Sequence, residues 1–275
     1  MTGALLTITR LEWTATARLN WVRLFSAAFA LLAAAASYSA GAANELSGAD
    51  GFARTTMALV PIVLLLVPLA ALMLGISGQT ADPGGEPFLF GQPVGRGTVL
   101  VGRWLGESAA LSAAIVLGLG VGGGFAAAGN GLEGAPAFAL FVLASVALAA
   151  IFLSVAAAIA AATGTRVTAL SVGTFAWVFF VLLYDGVALS LAGWLTGSLG
   201  GRVLFGSVFA NPVDLVRIAM LSLSGTPHIL GASGDAWTRF LGGPFTASAA
   251  SFTALAVWTV APLAWATHRM GARDL

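Results

Sequence analysis

Long apolar runs separated by charged residues dominate this chain. No charged residue lies between Arg23 and Glu45, or between Arg54 and Asp82. A helix needs about 20 apolar residues to cross the hydrocarbon core of a bilayer. The runs therefore predict an all-α membrane protein with a six-helix transmembrane domain over residues 21–268. Its spans are expected at about 22–43, 57–77, 104–128, 136–162, 168–195 and 247–267. The runs are continuously apolar and do not alternate, which excludes a transmembrane barrel.

A shorter periodic segment, residues 1–20, precedes the first run. Its apolar residues recur every three or four positions: Ala4, Ile8, Leu11, Ala15, Leu19 and Val22. Threonines and arginines repeat on another face with the same period. This pattern predicts an amphipathic helix along the cytoplasmic surface, with Trp13 and Trp21 as interfacial anchors. The alternative is a plain extension of the first span, which leaves the periodicity unexplained.

The connection at residues 78–98, between the second and third spans, combines helix breakers with exposed apolar residues. Glycine and proline interrupt it at both ends. Between them, Glu86 and Pro87 favour the start of a short helical turn. The large side chains of Phe88, Leu89 and Phe90 follow directly. Such a cluster in a loop is typical of a partner contact or a membrane contact, or it folds back on the chain's own helix ends.

The predicted outer loop, residues 198–246, contains one short amphipathic helix, expected at the outer surface. Asn211 is a favourable N-cap, and Pro212 suits the first helical turn. Asp214 favours the positive end of the helix dipole and lies three positions before Arg217. The spacing therefore predicts a local ion pair between these two side chains, and a pore role is the alternative.

Composition supports the membrane prediction. Hydrophobic residues make up 59% of the 275 positions and charged residues only 8%, whereas soluble domains are about 25% charged. The bilayer must therefore be the main solvent. The net charge of +1 gives no reason to expect a nucleic-acid partner. The absence of cysteine excludes disulfides and thiolate metal sites.

The arginines predict the orientation. All 12 basic residues are arginine, and eight of them fall on the side of the predicted membrane that holds the N-terminus. Positive residues concentrate in cytoplasmic loops, so both termini are expected to be cytoplasmic. A cleaved signal peptide ending at Ala40-Gly41-Ala42 is the alternative for the first span, but its apolar run is longer than a usual signal core.

Few residues offer chemistry. There is no lysine and hence no phosphate-binding loop, so the chain is not expected to be an ATPase or other enzyme. Its two histidines fall on opposite predicted sides of the membrane, and no metal site is expected. Asp185 and Glu107 are candidate intramembrane polar sites. For Asp185 the alternative is a hydrogen bond to Tyr184 or to a neighbouring helix, and for Glu107 it is a surface pair with Arg103.

This layout resembles the permease subunits of type-2 ABC transporters. The entry to the third span matches their pattern P-x-x-R-x-x-(I/V)-(L/V)-x-G-(K/R), with Pro93, Arg96, Gly102 and Arg103 in place. The Asn-Pro-x-Asp-x-x-Arg segment beginning at Asn211 is similar to one branch, the permeases of the nitrous-oxide reductase maturation (copper-processing) system. The family often carries Glu-x-Gly-Thr after its second span, whereas this chain has Gly85-Glu86 without the threonine.

The resemblance implies a set of partners. Residues 78–98 would form the coupling loop to a separate ATPase, through Glu86, Phe88, Leu89, Phe90 and Arg96. It further implies a homodimer in the bacterial inner membrane with two ATPase subunits, which hold the ATP and magnesium. This chain itself would hold no cofactor. A periplasmic accessory protein would sit above the outer loop, where Asn211, Asp214 and Arg217 would form a partner contact or an outer gate.

Three functions follow as hypotheses. The first is a permease that exports cargo or transmits force for metal-site maturation, or that exports a lipid, polysaccharide or drug. The second is a membrane enzyme using Asp185 or Glu107, which the lack of a paired acid or His–acid constellation disfavours. The third is a scaffold that anchors other proteins and transports nothing.

Overall fold

The computed structural model describes residues 2–42, 49–80, 95–195, 198–223 and 240–271, and these residues are predominantly helical. The α-helices are α1 (Thr2–Arg18), α2 (Asn20–Ala42), α3 (Ala49–Gln79), α4 (Arg96–Asn130), α5 (Ala135–Ala162), α6 (Arg166–Val178), α7 (Tyr184–Trp194), α8 (Ser198–Ser207), α9 (Pro212–Leu223) and α10 (Pro244–Gly271). A π-helical segment, Phe179–Leu183, joins α6 to α7. A 3-10 turn, Val208–Ala210, joins α8 to α9.

Within the described residues, six helical stretches are long and apolar enough to cross a membrane, which confirms the predicted six-helix architecture. They are Asn20–Ser39, Gly51–Gln79, Arg96–Gly129, Ala135–Ala162, Arg166–Trp194 and Phe245–Gly271. The fifth span is composite, because α6, the π segment and α7 run on from one another.

The spans alternate in direction, so the bundle has two distinct ends. Leu100, near the start of α4, packs with Ala161 near the end of α5 and Ala266 near the end of α10. At the opposite end Phe52, near the start of α3, contacts Phe138 near the start of α5. The first end also carries α1 and is called the α1 end. The other carries α8 and α9, which are described below as the hairpin, and is called the hairpin end.

Helix α3 is the interior helix of the bundle. In the most apolar stretch of this span 67% of the residues are buried, against 11% in the fifth span and 6% in the sixth. Helix α3 packs most extensively on α5, where Phe141 and Phe152 are fully buried. The fifth and sixth spans therefore present most of their apolar side chains to lipid or to another membrane protein.

Glycines in α4 allow close helix packing. A Cβ at Gly118 would lie 2.6 Å from the Phe29 ring of α2, and one at Gly123 would lie 2.7 Å from the Phe138 ring of α5. Gly122 faces Ala33 of α2 at a similarly short distance, whereas Gly120 and Gly124 face open space. Packing through small residues is a main source of attraction between helices in lipid. Three of these five glycines therefore serve packing.

Helix α1 lies against α4, and the face of α1 that meets α4 is not the one that the periodicity predicts. Gly102 and Gly106, four residues apart, let the backbone of α1 approach closely. A Cβ at Gly106 would lie 2.8 Å from the Thr9 carbonyl oxygen and 2.9 Å from the Trp13 nitrogen. The side facing the protein includes the polar residue Thr16, while Leu11 is exposed. The apolar stripe is thus divided, because Ile8 packs against Gly102 of α4 while Leu11 and Leu19 stay exposed.

The outer segment differs from the surface helix that the sequence predicts. Helix α8 is an additional element, and the axis of α9 is bent by 95° from that of α8. Val213, Val216 and Met220 of α9 are fully buried in the main hydrophobic core. The expectation that this helix lies at the surface is therefore wrong. Its apolar face packs on α5 and α10, and α8 and α9 form a sharply bent helix pair, called the hairpin.

Candidate functional site

The hairpin is fastened by one buried side chain, Asn211. Its Oδ1 accepts a hydrogen bond from the backbone N–H of Val213 at 3.0 Å, so it caps α9 as the sequence predicts. Its Nδ2 donates to the Phe180 carbonyl at 3.1 Å and to Asp214 Oδ2 at 2.9 Å. One residue therefore joins the first turn of α9 to the fifth span.

The π segment is what makes the Phe180 carbonyl available. In a regular α-helix the N–H of Tyr184 would bond to Phe180, but here it bonds to the Phe179 carbonyl. Single π turns are rare and are frequent at functional positions. The wider turn is therefore part of the docking site for the hairpin.

Charged groups from the fifth span and the hairpin meet beside this anchor. Arg217 Nη1 lies 2.8 Å from Asp185 Oδ2 and 3.0 Å from Asp214 Oδ1. The predicted pair between Asp214 and Arg217 is thus confirmed, and Asp185 is paired with a neighbouring helix rather than with Tyr184. The Asp185 side chain is 54% exposed and that of Asp214 only 12%.

Two further hydrogen bonds attach the hairpin to both neighbouring spans. The Tyr184 hydroxyl donates to the Ser207 carbonyl at 2.7 Å. The Trp258 Nε1 of α10 donates to the Phe209 carbonyl at 3.0 Å. Asn211, Asp214, Arg217 and Asp185 thus form one site, called the outer cluster, which lies where the fifth span, the sixth span and the hairpin meet.

Glu107 lies far from the outer cluster, at the α1 end. The structure contradicts its predicted surface pair with Arg103. Glu107 is only 1% exposed, and neither of its carboxylate oxygens has a hydrogen-bond partner among the described residues. Arg103 Nη1 instead donates to the Gly78 carbonyl at 3.2 Å. The helical spacing allowed the pair, but the arginine turns toward the carboxyl-terminal end of α3.

A cavity of about 430 Å³ opens next to Glu107. Glu12 of α1 also lines it. Burial raises the pKa of the Glu12 carboxyl, and the charge of Arg103 opposes that rise. Glu12 was not predictable as a site residue, because its position belongs to neither of the two faces that the periodicity of α1 defines. The burial of Thr16, four residues later, and the contact of Glu12 with Gly106 become visible only in the fold.

Most of the proposed coupling residues cannot be placed. Glu86, Phe88, Leu89 and Phe90 lie outside the described residues, and Arg96 is the first residue of α4. The two ends of this connection are tied together. Besides the bond from Arg103 to Gly78, the Gln79 Nε2 donates to the Leu100 carbonyl at 3.5 Å. Helices α3 and α4 are therefore fixed to each other where the connection leaves and re-enters the bundle.

In the described parts of the chain, no group of three or more histidine, aspartate or glutamate side chains could hold a metal ion. Neither the outer cluster nor the cavity pairs an acid with a histidine.

Comparison with known proteins agrees with this architecture. Residues 6–275 match the model of a family described as ABC-2 family transporter protein. The chain is 31% identical to a probable ABC transporter permease protein, NosY, of Pseudomonas aeruginosa, over 94% of this chain and 95% of the relative. It is 29% identical to a protein of the same description from Stutzerimonas stutzeri, over 78% of this chain and 80% of the relative. The chain therefore belongs to the ABC-2 family of transporter proteins, as a permease subunit of the NosY type.

Proposed function

We propose that this permease converts ATP hydrolysis by a separate ATPase subunit into movement of its hairpin end, in the maturation of the metal site of nitrous-oxide reductase. The observation that carries the proposal is the similarity to a NosY permease over 94% of the chain, which includes both the 78–98 connection and the hairpin. The arginine distribution supports an orientation in which the α1 end and both termini face the cytoplasm, and the family membership supports the inner membrane of a bacterium.

A continuous set of contacts supports the coupling. An ATPase bound to the 78–98 connection would pull on the ends of α3 and α4, which are joined by the bond from Arg103 to Gly78. Helix α3 packs along α5, and α5 contacts α9 of the hairpin. Close-packed helices transmit displacement because they resist compression. A shift at the α1 end would thus reach the outer cluster through α3 and α5.

The exposed sides of the bundle support the proposed assembly. The fifth and sixth spans bury few of their residues within one chain, so a second copy of the permease could pack there. Two permeases would engage two ATPase subunits, which bind the ATP and magnesium. A periplasmic accessory protein would contact the exposed carboxylate of Asp185 and the neighbouring Arg217.

The coupling segment is tested by changing Phe88 and Phe90 to aspartate in the tagged chain. We expect the ATPase subunit to be lost from pull-downs, because two charged side chains would have to be desolvated in an apolar contact. Membrane insertion and the thermal stability of the purified variant are measured alongside, and both should stay unchanged.

The matched control changes the same two residues to leucine, which keeps an apolar contact and should retain the ATPase. Full retention of the ATPase by the aspartate variant would refute the assignment of the coupling segment. An ATPase-bound complex that moves a lipid or drug, with no effect on nitrous-oxide reductase, would leave coupling intact and overturn the proposed pathway.

A further inference from the structure

The cavity at the α1 end is lined by both polar and apolar groups. Helices α1, α3, α4 and the start of α6 contribute Glu12, Thr16, Ser77, Glu107 and Arg166 to its wall. Its volume of about 430 Å³ falls within the range of small-molecule sites. The coupling and the outer cluster described above make no use of these groups.

The carboxylate of Glu107 is the strongest indication of a ligand. It lines the cavity, it is 1% exposed, and both of its oxygens lack a hydrogen-bond partner among the residues that the structure describes. A buried carboxylate without a partner is strongly destabilising. The cavity offers the space in which a donor could satisfy it.

A second carboxylate converges on the same point. A Cβ added to Gly78 would collide with Glu107 Oε1 and would lie 3.8 Å from Glu12 Oε1. Glycine at this turn of α3 therefore leaves room for the Glu107 carboxylate, with the Glu12 carboxylate at ordinary contact distance. Two acids brought together in a half-buried cavity attract a positively charged group.

The nearby arginines leave this attraction in place. Arg103 donates a hydrogen bond to the Gly78 carbonyl, and no ion pair joins it to either acid within the described residues. Arg166 lines the cavity but is exposed to solvent. Arg166 is instead placed to meet an anionic group at the cavity mouth.

We propose that this cavity binds a ligand through a primary ammonium group held between Glu107 and Glu12. An ammonium group has three donors, which suit the unpaired carboxylate oxygens, and the hydroxyls of Thr16 and Ser77 lie on the same wall. The carbon portion of the ligand contacts Leu19, Met73 and Leu74. This inference does not depend on ATP coupling.

A bare metal ion fits this site less well. Calcium takes six to eight oxygen ligands, and magnesium requires near-ideal octahedral geometry. In the described residues, no third acidic or histidine side chain joins the two glutamates. The apolar part of the wall is also better suited to an organic molecule than to a hydrated ion.

Two sources supply the required chemistry. A phospholipid with an ethanolamine headgroup would bring the ammonium to the two acids and its phosphate toward Arg166. A soluble organic amine would fill the same position from the aqueous side. The lipid and the soluble amine differ only in where the ammonium group comes from, because both would make the same contacts to Glu107 and Glu12.

The proposal is tested by ligand-induced thermal stabilisation of the purified full-length chain in detergent. The probes are phosphatidylethanolamine and hexylammonium, compared with phosphatidylcholine and hexyltrimethylammonium, which carry the same charge without N–H donors. We expect one or both of the probes with N–H donors to raise the melting temperature. In Glu107→Gln the probe concentration needed for the same shift should rise about ten-fold or more. Glu133→Gln, an exposed acid at the hairpin end, is the matched control and should respond like the wild type.

The possible outcomes separate clearly. A response to phosphatidylethanolamine alone supports the lipid source, and a response to hexylammonium supports the soluble amine. Equal responses to the donor and methylated probes, or an unchanged response in Glu107→Gln, overturn the proposal. Stabilisation by magnesium chloride alone would replace it with a metal site. If Glu107→Gln does not fold, Glu12→Gln is measured in its place, with the same expected loss.

Discussion

Individual polar side chains hold this protein together where its helices are interrupted. Asn211 is fully buried and makes three hydrogen bonds, to Val213, Phe180 and Asp214. Polar groups in an apolar interior are tolerated when their hydrogen bonds are complete. Asn211 satisfies this condition within the chain, whereas the buried carboxylate of Glu107 does not and so points to a ligand.

Replacing Asn211 by alanine should detach the hairpin. The change leaves the Val213 N–H and the Phe180 carbonyl without their partner, and each unsatisfied buried group costs about 1–3 kcal/mol. We expect a lower melting temperature, together with faster maleimide labelling of a cysteine introduced at the buried position Leu215. The chain contains no native cysteine, so the label reports one site.

Asn211→Ser is the graded control. Its hydroxyl can still accept from the Val213 N–H, so it should lose less stability than Asn211→Ala. Asn20→Ala, an exposed change at the start of α2, should have little effect. Unchanged labelling of the Leu215 position in Asn211→Ala would show that the hydrogen bonds of Asn211 are not needed to hold the hairpin in place.

The residue scale also shows what the sequence could reveal. The cap at Asn211 and the ion pair between Asp214 and Arg217 were predictable, because both depend on spacing along one helix. The hydrogen bond from Asn211 to Phe180 was not predictable from spacing. It joins residues far apart in sequence and requires the π turn that frees the Phe180 carbonyl. The pairing of Asp185 with Arg217 depends on the same tertiary arrangement.

At the scale of elements, close backbone contacts position α1. Gly102 and Gly106 form a small-residue pair of the kind that brings helices together in membranes. This contact places Glu12 in the cavity and fixes α1 beside the ends of the 78–98 connection. The docking of α1 is therefore a precondition for the proposed ammonium site.

Gly106→Ala should weaken this docking. Its Cβ would lie within 3 Å of the Thr9 carbonyl and the Trp13 nitrogen, which belong to the backbone and cannot rotate away. Overpacking of this kind costs about 1–3 kcal/mol. We expect a lower melting temperature and faster maleimide labelling of a cysteine introduced at Ile8, which faces Gly102.

The same helix supplies the control for this prediction. Gly120→Ala and Gly124→Ala place a Cβ in open space on α4. Both changes should leave labelling at Ile8 unchanged and should preserve or slightly raise stability, since alanine favours the helix. Equal behaviour of Gly106→Ala and Gly120→Ala would contradict the role of close packing.

The elements differ in how far the sequence predicts them. The six spans follow from the charge-free runs because the bilayer permits few alternatives to a helix. The burial of α9 did not follow, since an amphipathic helix such as Pro212–Leu223 packs equally well on protein or at a membrane surface. Periodicity likewise identified α1 but did not select the face that meets α4.

At the scale of the whole molecule, the proposed sites occupy opposite ends of one bundle. The outer cluster lies at the hairpin end, and the cavity lies at the α1 end together with the helix ends that flank the proposed coupling connection. Helices α3 and α5 connect them, and they are the most heavily packed pair in the bundle. The arrangement suits a protein that passes movement between a partner on one side of the membrane and a partner on the other.

The most direct test of this account is affinity purification of the tagged chain from its native membrane, with quantification of the proteins that accompany it. We predict an ATPase subunit in equal molar amount to the permease, together with a periplasmic accessory protein. The accessory protein should be reduced when the outer cluster is disrupted by Arg217→Ala. A chain that purifies without any ATPase, from membranes in which the candidate ATPase is expressed, would contradict the account.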